Sequence, residues 1–429
     1  MGHFQNESGA SQKKLSDEKP RKYRIMLIRI SWRNVWRNTL RSGVVIASIA
    51  LGIWAGLFVI SLSSGLNEQR TAEAINTSIS HIQIHHAQFI KDNNVKYRLR
   101  DPEKLTTALT EDPTVKSFSK RVVVGGMVSS SSGGFGVQIS GVDPEKEILV
   151  TTIHEKLVDG TFLEGDKKNL IVLGSRLADK LNVSIRNKVV LTFQKDNGEI
   201  VAGAFRVGGL YKTSSSKADE LSVYVRDSDI NRLLEESAGY HQMAVMLHDP
   251  DLVRPKADEW KLAYSDLSVR PWQEVAPQLG YADEMMKQIL YIIIGIILLA
   301  LSFGIINTML MAVLERKREL GMLMSVGMNK TKVFLMIVVE TVFISLVGGP
   351  LGVLLGYLTV TYFGTAGIDL SVFAKGLEEF GISPVIYPSL EPELYVNVTA
   401  MVIVAALLSS IYPAIKALQL KPAEAVRAI

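Results

Sequence analysis

ILYIIIGIILLALSFGIINTMLMAV, residues Ile289–Val313, contains no charged side chain. A helix needs about 20 apolar residues to cross the hydrocarbon core of a bilayer, and this run is long enough. Three more long apolar stretches lie in the chain, at Ser42–Leu66, Val333–Phe363 and Tyr395–Tyr412, with Glu340 the one charged residue among them. About 220 residues separate the first from Ile289, whereas the last three follow one another closely. A soluble core cannot hide four such helices. The spacing therefore predicts a membrane protein with four transmembrane α-helices and a large α+β extracytoplasmic domain between the first and second.

Composition agrees with that division. The chain has 429 residues, 47% of them hydrophobic, and a formal net charge of +4. Mean hydropathy is only +0.19, modest for a membrane protein, because half the chain is exposed to water. There is no cysteine, which excludes disulfide frameworks, Cys-ligated zinc and Cys nucleophiles. Nothing points to nucleic acid. Residues 1–20 are polar and read as a disordered tail. The first apolar run is too long for a cleaved signal and reads as an uncleaved anchor.

The basic residues set the expected orientation. Arg21, Lys22, Arg24, Arg29, Arg33, Arg37 and Arg41 precede the first span with no acid among them. Arg316, Lys317, Arg318, Lys330 and Lys332 follow the second, and Lys416, Lys421 and Arg427 follow the fourth. The loop after the third span is acidic, with Asp369, Glu378, Glu379, Glu391 and Glu393 against Lys375. Basic residues at span ends stay cytoplasmic. The expected layout is a cytoplasmic tail at 1–20, an amphipathic interfacial helix at 21–41 and a first span at 42–66. A periplasmic domain follows at 67–285, then a second span at 286–314 and a cytoplasmic loop at 315–332. The third span is 333–363, the short periplasmic loop 364–394, the fourth span 395–413 and the cytoplasmic tail 414–429. In the second of these segments Ile25, Ile28, Trp32, Val35, Trp36 and Leu40 recur at helical spacing between arginines. That pattern suits a helix in the inner leaflet, or else a plain extension of the first span.

In the inserted domain, short β-like runs alternate with turns. Candidate strands are Ile79–His85, Lys120–Met127, Gly136–Gly141, Lys188–Gln194, Val201–Leu210, Leu221–Val225 and Met243–His248. Candidate helices are Pro102–Thr110, Ser175–Leu181, Ser228–Glu236 and Asp251–Tyr264, and two sub-lobes are expected. His81, His85 and His86 raise the question of a metal. On a strand His81, Gln83 and His85 share one face, with Ile82 and Ile84 on the other. No further ligand is fixed nearby, so a solvated strand face is expected and no metal. The Gly/Ser-rich run Ser129–Gly136 contains no lysine and reads as a hairpin tip, not a phosphate cradle.

The loop after the second span is the most specific feature. It runs Glu315-Arg316-Lys317-Arg318-Glu319-Leu320-Gly321-Met322-Leu323-Met324-Ser325-Val326-Gly327. Charges open it, and Leu320, Leu323, Met324 and Met328 form an apolar face. Gly327 would close a short helix, with Asn329 after it. An exposed amphipathic helix wants a groove on another protein. A membrane-surface helix is the alternative, weakened by Glu315 and Glu319, which anionic lipid would repel.

This loop resembles the coupling segment of FtsX-like ABC permeases, the group that includes the MacB exporter and the LolC/LolE lipoprotein-release subunits. Trp32-Arg33-Asn34 with Arg37-Asn38 and Arg41-Ser42 resembles that family's entry to its first span. Ser80-His81-Ile82-Gln83-Ile84, and Leu173-Gly174-Ser175-Arg176-Leu177-Ala178 followed by Val189-Val190-Leu191, are similar to the outer domain of the LolC/LolE branch. Lys421-Pro422-Ala423-Glu424-Ala425-Val426-Arg427 is similar to the family's C-terminal signature. The resemblance implies a dimer of permeases, identical or paralogous, bound to two cytoplasmic ABC ATPase subunits. Glu315, Arg318, Glu319, Leu320, Leu323, Met324 and Gly327 would then form the ATPase-coupling segment. The chain has no G-x-x-x-x-G-K-[ST] and no Gly-Lys pair, so ATP and Mg would be handled by the partner and no cofactor bound directly.

Small residues recur four apart at Ser48, Gly52 and Gly56 in the first span and at Gly348, Gly352 and Gly356 in the third. They let helices approach closely in lipid, either within the bundle or, for the first span, against a second permease. Glu340 in the third span is costly in a membrane; about two turns above Lys332, it is expected either to reach the inner interface or to pair with a basic residue there, in a structural or coupling role. Asn307 in the second is expected to hydrogen-bond between helices. No catalytic constellation is present, so the chain is not read as an enzyme.

Together these features predict a permease subunit in a bacterial inner membrane, contacting membrane lipids and passing ATPase motion to a periplasmic domain. The LolC/LolE-like features imply extraction of lipoproteins and their transfer to a periplasmic carrier. The alternatives are MacB-like efflux of drugs, peptides or other amphiphiles, and FtsX-like mechanical regulation of a cell-wall hydrolase.

Overall fold

The computed structural model describes residues 29–165 and 167–419. The expected tail at 1–20, the start of the amphipathic segment and the C-terminal signature lie outside these residues. The chain divides into two compact units, a helical one and one made of the inserted domain together with Ile368–Ile386.

The helical unit comprises α1 (29–37), α2 (Thr39–Ala74), α3 (Pro277–Glu315), α4 (Lys317–Ser325), α5 (Lys330–Ala366) and α6 (Pro392–Leu418). Of these, α2, α3, α5 and α6 are long and apolar enough to cross a membrane. Each runs past its apolar stretch at one or both ends. The polar flanks are good helix formers, and nothing obliges a helix to stop where the hydrocarbon does. In α2 the buried stripe is Val45, Ile49, Ile53, Leu57 and Ile60, spaced one helical turn apart. It meets Leu301, Ile305 and Met309 of α3 and Val333, Met336, Ile337 and Ile344 of α5 in one core, which Val398, Val402 and Ala406 of α6 complete. Large apolar side chains on the outer faces, such as Ile296, Leu299 and Phe303, are exposed. That pattern is expected where lipid replaces water.

Glycines set the helix spacing. A β-carbon at Gly352 would sit 2.7 Å from the carbonyl oxygen of Ala50 on α2, and one at Gly348 would sit 3.1 Å from that of Ile46. Gly356 abuts Leu57, while Gly52 and Gly56 receive Leu301 and Ile297 of α3. Both glycine stripes therefore serve packing within this chain. The first-span seam with a second permease is not needed to explain Gly52 or Gly56. Ser48 is exposed and its hydroxyl donates to Val44 O of its own helix at 2.8 Å.

Among its described residues the inserted domain holds ten strands: β1 (Ile82–His86), β2 (Val115–Ser130), β3 (Gly133–Val142), β4 (Leu157–Gly160), β5 (Leu170–Gly174), β6 (Lys188–Gln194), β7 (Ile200–Tyr211), β8 (Ser222–Arg226), β9 (Gln242–Leu247) and β10 (Leu267–Pro271). One lobe is an antiparallel sheet in the order β10-β1-β9-β2. Helices Pro102–Glu111 and Val253–Ala263 supply Leu105, Leu109, Ala257 and Trp260 to cover Ile82, Ile84, Met243 and Val245. In the other lobe the ladders β2-β3, β3-β8, β8-β5, β5-β7, β7-β6 and β6-β2 close into a ring. Closure removes free edges, and Val124, Ile139, Leu173, Leu191, Phe205 and Val223 contribute to its core. The long strand β2 belongs to both lobes: Val115–Arg121 pair with β9, and Gly126–Ser129 pair with β6. The Gly/Ser run is a tight hairpin whose pairing reaches Ser130 opposite Gly133.

Candidate functional site

One side chain just before the short helix α4 ties it to two of its neighbours. Arg316 sits in the break between α3 and α4, where its backbone leaves the helical region (φ −95°, ψ 16°). Its Nη1 donates to both carboxylate oxygens of Glu340 on α5, at 3.0 and 3.2 Å, and its Nη2 donates to Asn34 O on α1 at 3.1 Å. The two charged side chains are 12% and 5% exposed, so the pair is well shielded from water. Breaking such a pair from one side leaves a buried charge and costs ~3–5 kcal/mol. Glu340 is thus the fixed partner of Arg316, and α1, α4 and α5 meet at one guanidinium. The Ser31 hydroxyl on α1 reinforces the joint by donating to Met336 O on α5 at 3.2 Å. Arg37 also binds Glu319 at 2.6 Å, but both side chains are about half exposed and water weakens the pair. A cavity of about 420 Å³ lies among these groups, lined by Asn34, Arg37, Arg316, Glu319, Leu323 and Glu340 with others.

The face of α4 that meets solvent is not the one its apolar residues mark. Leu320 is buried, and Leu323, Met324 and Met328 pack against the helical core. The expected docking face is turned inward, because α4 finds its apolar partners in its own bundle. Met322 and Val326 stand out instead, 59% and 84% exposed, beside exposed Arg318 and Glu319. Glu315, at the end of α3, is exposed as well. A helix of period 3.6 places 322 and 326 together on one face, a signal the charge-first reading missed. Gly327 ends this segment with φ +99° and donates its N–H to Met324 O at 3.1 Å, while Met328 N–H reaches Leu323 O at 3.0 Å. Asn329 opens α5 by accepting from Thr331 N–H at 3.3 Å.

Asn307 departs from its expected role. It is exposed on α3 and its side chain makes no hydrogen bond among the described residues. Ile305 and Met309 carry the buried stripe, and a residue two positions from each points the other way.

The histidines of β1 are also not where a solvated face would put them. His81, Gln83 and His85 are all less than a tenth exposed, because the π-turn Ile75–Ile79 and the segment carrying Phe89 cover that side of the strand. His81 Nδ1 accepts from Leu247 N–H at 3.0 Å. His85 lies 3.2 Å from His241 O through Nδ1 and 3.0 Å from Gln83 Oε1 through Nε2. Burial, with Arg270 and Arg121 adding to it, lowers the His85 pKa to about 4, and burial above all takes His241 to about 4. Both are neutral imidazoles at physiological pH. Among the described residues no group of three His, Cys, Asp or Glu side chains is arranged to hold a metal. Opposite them, Arg121 and Glu147 form a buried bidentate pair at 3.1 and 2.7 Å.

Comparison with known proteins bears on both units. Residues 42–260 match the MacB-like periplasmic core domain, and residues 291–422 match the FtsX-like permease C-terminal domain. The chain is 26% identical to the lipoprotein-releasing system transmembrane protein LolC of Neisseria meningitidis, over 90% of this chain and 93% of that one. It is 22% identical to the LolE protein of the same system in Haemophilus influenzae, over 92% and 97%. It is 23% identical to the uncharacterized ABC transporter permease YvrN of Bacillus subtilis, over 93% and 98%. With both its inserted domain and its last three spans accounted for, the chain belongs to the FtsX-like ABC transporter permeases that carry a MacB-like periplasmic core domain, the family of LolC, LolE and MacB.

Proposed function

We propose that this permease releases lipoproteins from the bacterial inner membrane and passes them to a periplasmic carrier. The names of its LolC and LolE relatives support this reading. In it, both termini and α4 are cytoplasmic and the inserted domain is periplasmic, as the arginine-rich entry to α2 and the acidic loop after α5 favour. Two ATPase subunits dock on α4, and a second permease, identical or paralogous, completes the transporter. The observation that carries the coupling role is the Arg316 fastener: force applied to exposed Met322 and Val326 would reach α1 and α5 through a shielded ion pair instead of dissipating in a loose loop.

The test is reconstitution of the full complex, isolated gently and identified by mass spectrometry, in liposomes containing a triacylated lipoprotein. ATP-dependent appearance of that lipoprotein on a soluble carrier is expected. Release of unacylated amphiphiles alone would redirect the reading to efflux. Copurification of a cell-wall hydrolase, without cargo release, would replace transport by mechanical regulation.

A further inference from the structure

A second cavity, of about 370 Å³, lies within the inserted domain on the polar side of β1. Small-molecule sites begin near ~300 Å³. The strand register shows how it is built. Arg270 on β10 stands opposite Gln83 on β1, His85 opposite Gln242 on β9, and Gln242 opposite Arg121 on β2. Ser140 on β3 pairs with Tyr224 on β8 across the cavity's other wall. The cavity therefore opens where the two lobes share β2.

Its charge is simple. No aspartate or glutamate lines it. The Arg121 charge is answered by Glu147, which is completely buried. The neighbouring imidazole of His85 is neutral near pH 7. The half-buried side chain of Arg270 makes neither a hydrogen bond nor an ion pair among the described residues, so one positive charge is left uncompensated. Gln242, 4% exposed, and Ser140, 7% exposed, also line the cavity and have no side-chain hydrogen bond among the described residues. Phe89, Ile90 and Val275 add an apolar border.

We propose that this cavity binds a small monoanionic carboxylate that carries an adjacent amide group, with Arg270 taking the carboxylate and Gln242 and Ser140 taking the amide. A guanidinium fork matches a carboxylate in two parallel hydrogen bonds, and a glutamine offers both a donor and an acceptor to an amide. One uncompensated cation balances one negative charge; a phosphate dianion would bring a surplus charge into a site with no second cation to meet it.

The probe is N-acetylglycine, tested by saturation-transfer NMR on the full-length protein in nanodiscs. Its uncharged analogue N-acetylglycinamide and inorganic phosphate are run beside it. N-acetylglycine is expected to bind and the uncharged analogue not to. Arg270→Gln should weaken binding about tenfold or more. Gln242→Leu should weaken it less, with the wild-type circular dichroism retained in both. Arg270→Lys keeps the charge without the fork and should fall between wild type and Arg270→Gln. The proposal is overturned if N-acetylglycine does not bind at tens of millimolar, if the uncharged analogue binds equally, if phosphate displaces it at equal concentration, or if folded Arg270→Gln binds as wild type does.

Discussion

The Arg316–Glu340 pair invites a double-mutant cycle. At 3.0 Å and an effective dielectric of ~20, the two charges attract by ~5 kcal/mol. Desolvation of both groups offsets much of this in the intact pair, so the net contribution is smaller. Removing one partner keeps the desolvation and loses the attraction. Glu340→Leu strands a guanidinium that is 12% exposed. Arg316→Met strands a carboxylate and also the Asn34 carbonyl that the arginine serves. Each single change should cost ~3–5 kcal/mol. The double change removes both charges from an apolar surrounding and should cost clearly less than the sum, with a coupling energy near ~3 kcal/mol. Stability would be read from denaturant unfolding of the full chain in mixed micelles. ATP turnover would be read in the reconstituted complex, where either single variant should lower the response of hydrolysis to cargo. Singles within ~0.5 kcal/mol of wild type, or a double equal to their sum, would refute the idea that this pair holds α4 in place.

Other outcomes follow from the same geometry. Val326→Asp should abolish copurification of an ATPase while leaving the chain's unfolding unchanged, because Val326 touches solvent; Leu323→Asp should lower stability first, since Leu323 packs inward. Gly327→Ala should cost about 1 kcal/mol in denaturant unfolding, through the left-handed backbone at φ +99°. Gly352→Ala should disturb the α2–α5 contact, read as loss of crosslinking between cysteines placed on the two helices, because its methyl would meet Ala50 O. Acid should destabilise the inserted domain: His85 and His241 titrate near 4 when folded and near 6.5 when unfolded, so the unfolded chain takes up protons first. Stability present above pH 6.5 is then lost as pH falls towards 4, by ~3 kcal/mol per imidazole, and His85→Gln should flatten that slope in unfolding measured between pH 7 and 4.5.

Hydropathy was enough to find the spans, since each shows as a long apolar run with at most one charge, Glu340 in the third, and the charged opening of the next segment marked α4 as a separate helix. Strands with alternating patterns, such as Lys188–Gln194, were equally readable. Leu170–Gly174 was not, because a strand buried on both faces shows no alternation, and Leu267–Pro271 is short and ends in proline. The outward face of α4 was misjudged for a related reason. Leu320, Leu323 and Met324 are apolar whether they serve a partner or the chain's own bundle, and only tertiary contact separates the two. Partnership is likewise invisible in one dimension: Glu340 and Arg316 are 24 positions apart, and Asn34 lies 282 positions from Arg316. The histidines misled because a polar strand face looks solvated until the turn that roofs it is known.

The strand that serves both lobes has a consequence for tolerance to insertion and deletion. Losing one residue between Arg121 and Gly126 would invert the in–out alternation of everything downstream in β2, exchanging interior valines for outward groups along the ring. The same deletion would pull against the β9 ladder at the strand's other end. A length change there damages two hydrophobic interiors at once, while one at the Ser131–Ser132 tip alters neither, so natural variation in length should collect at that tip and be excluded from the shared stretch.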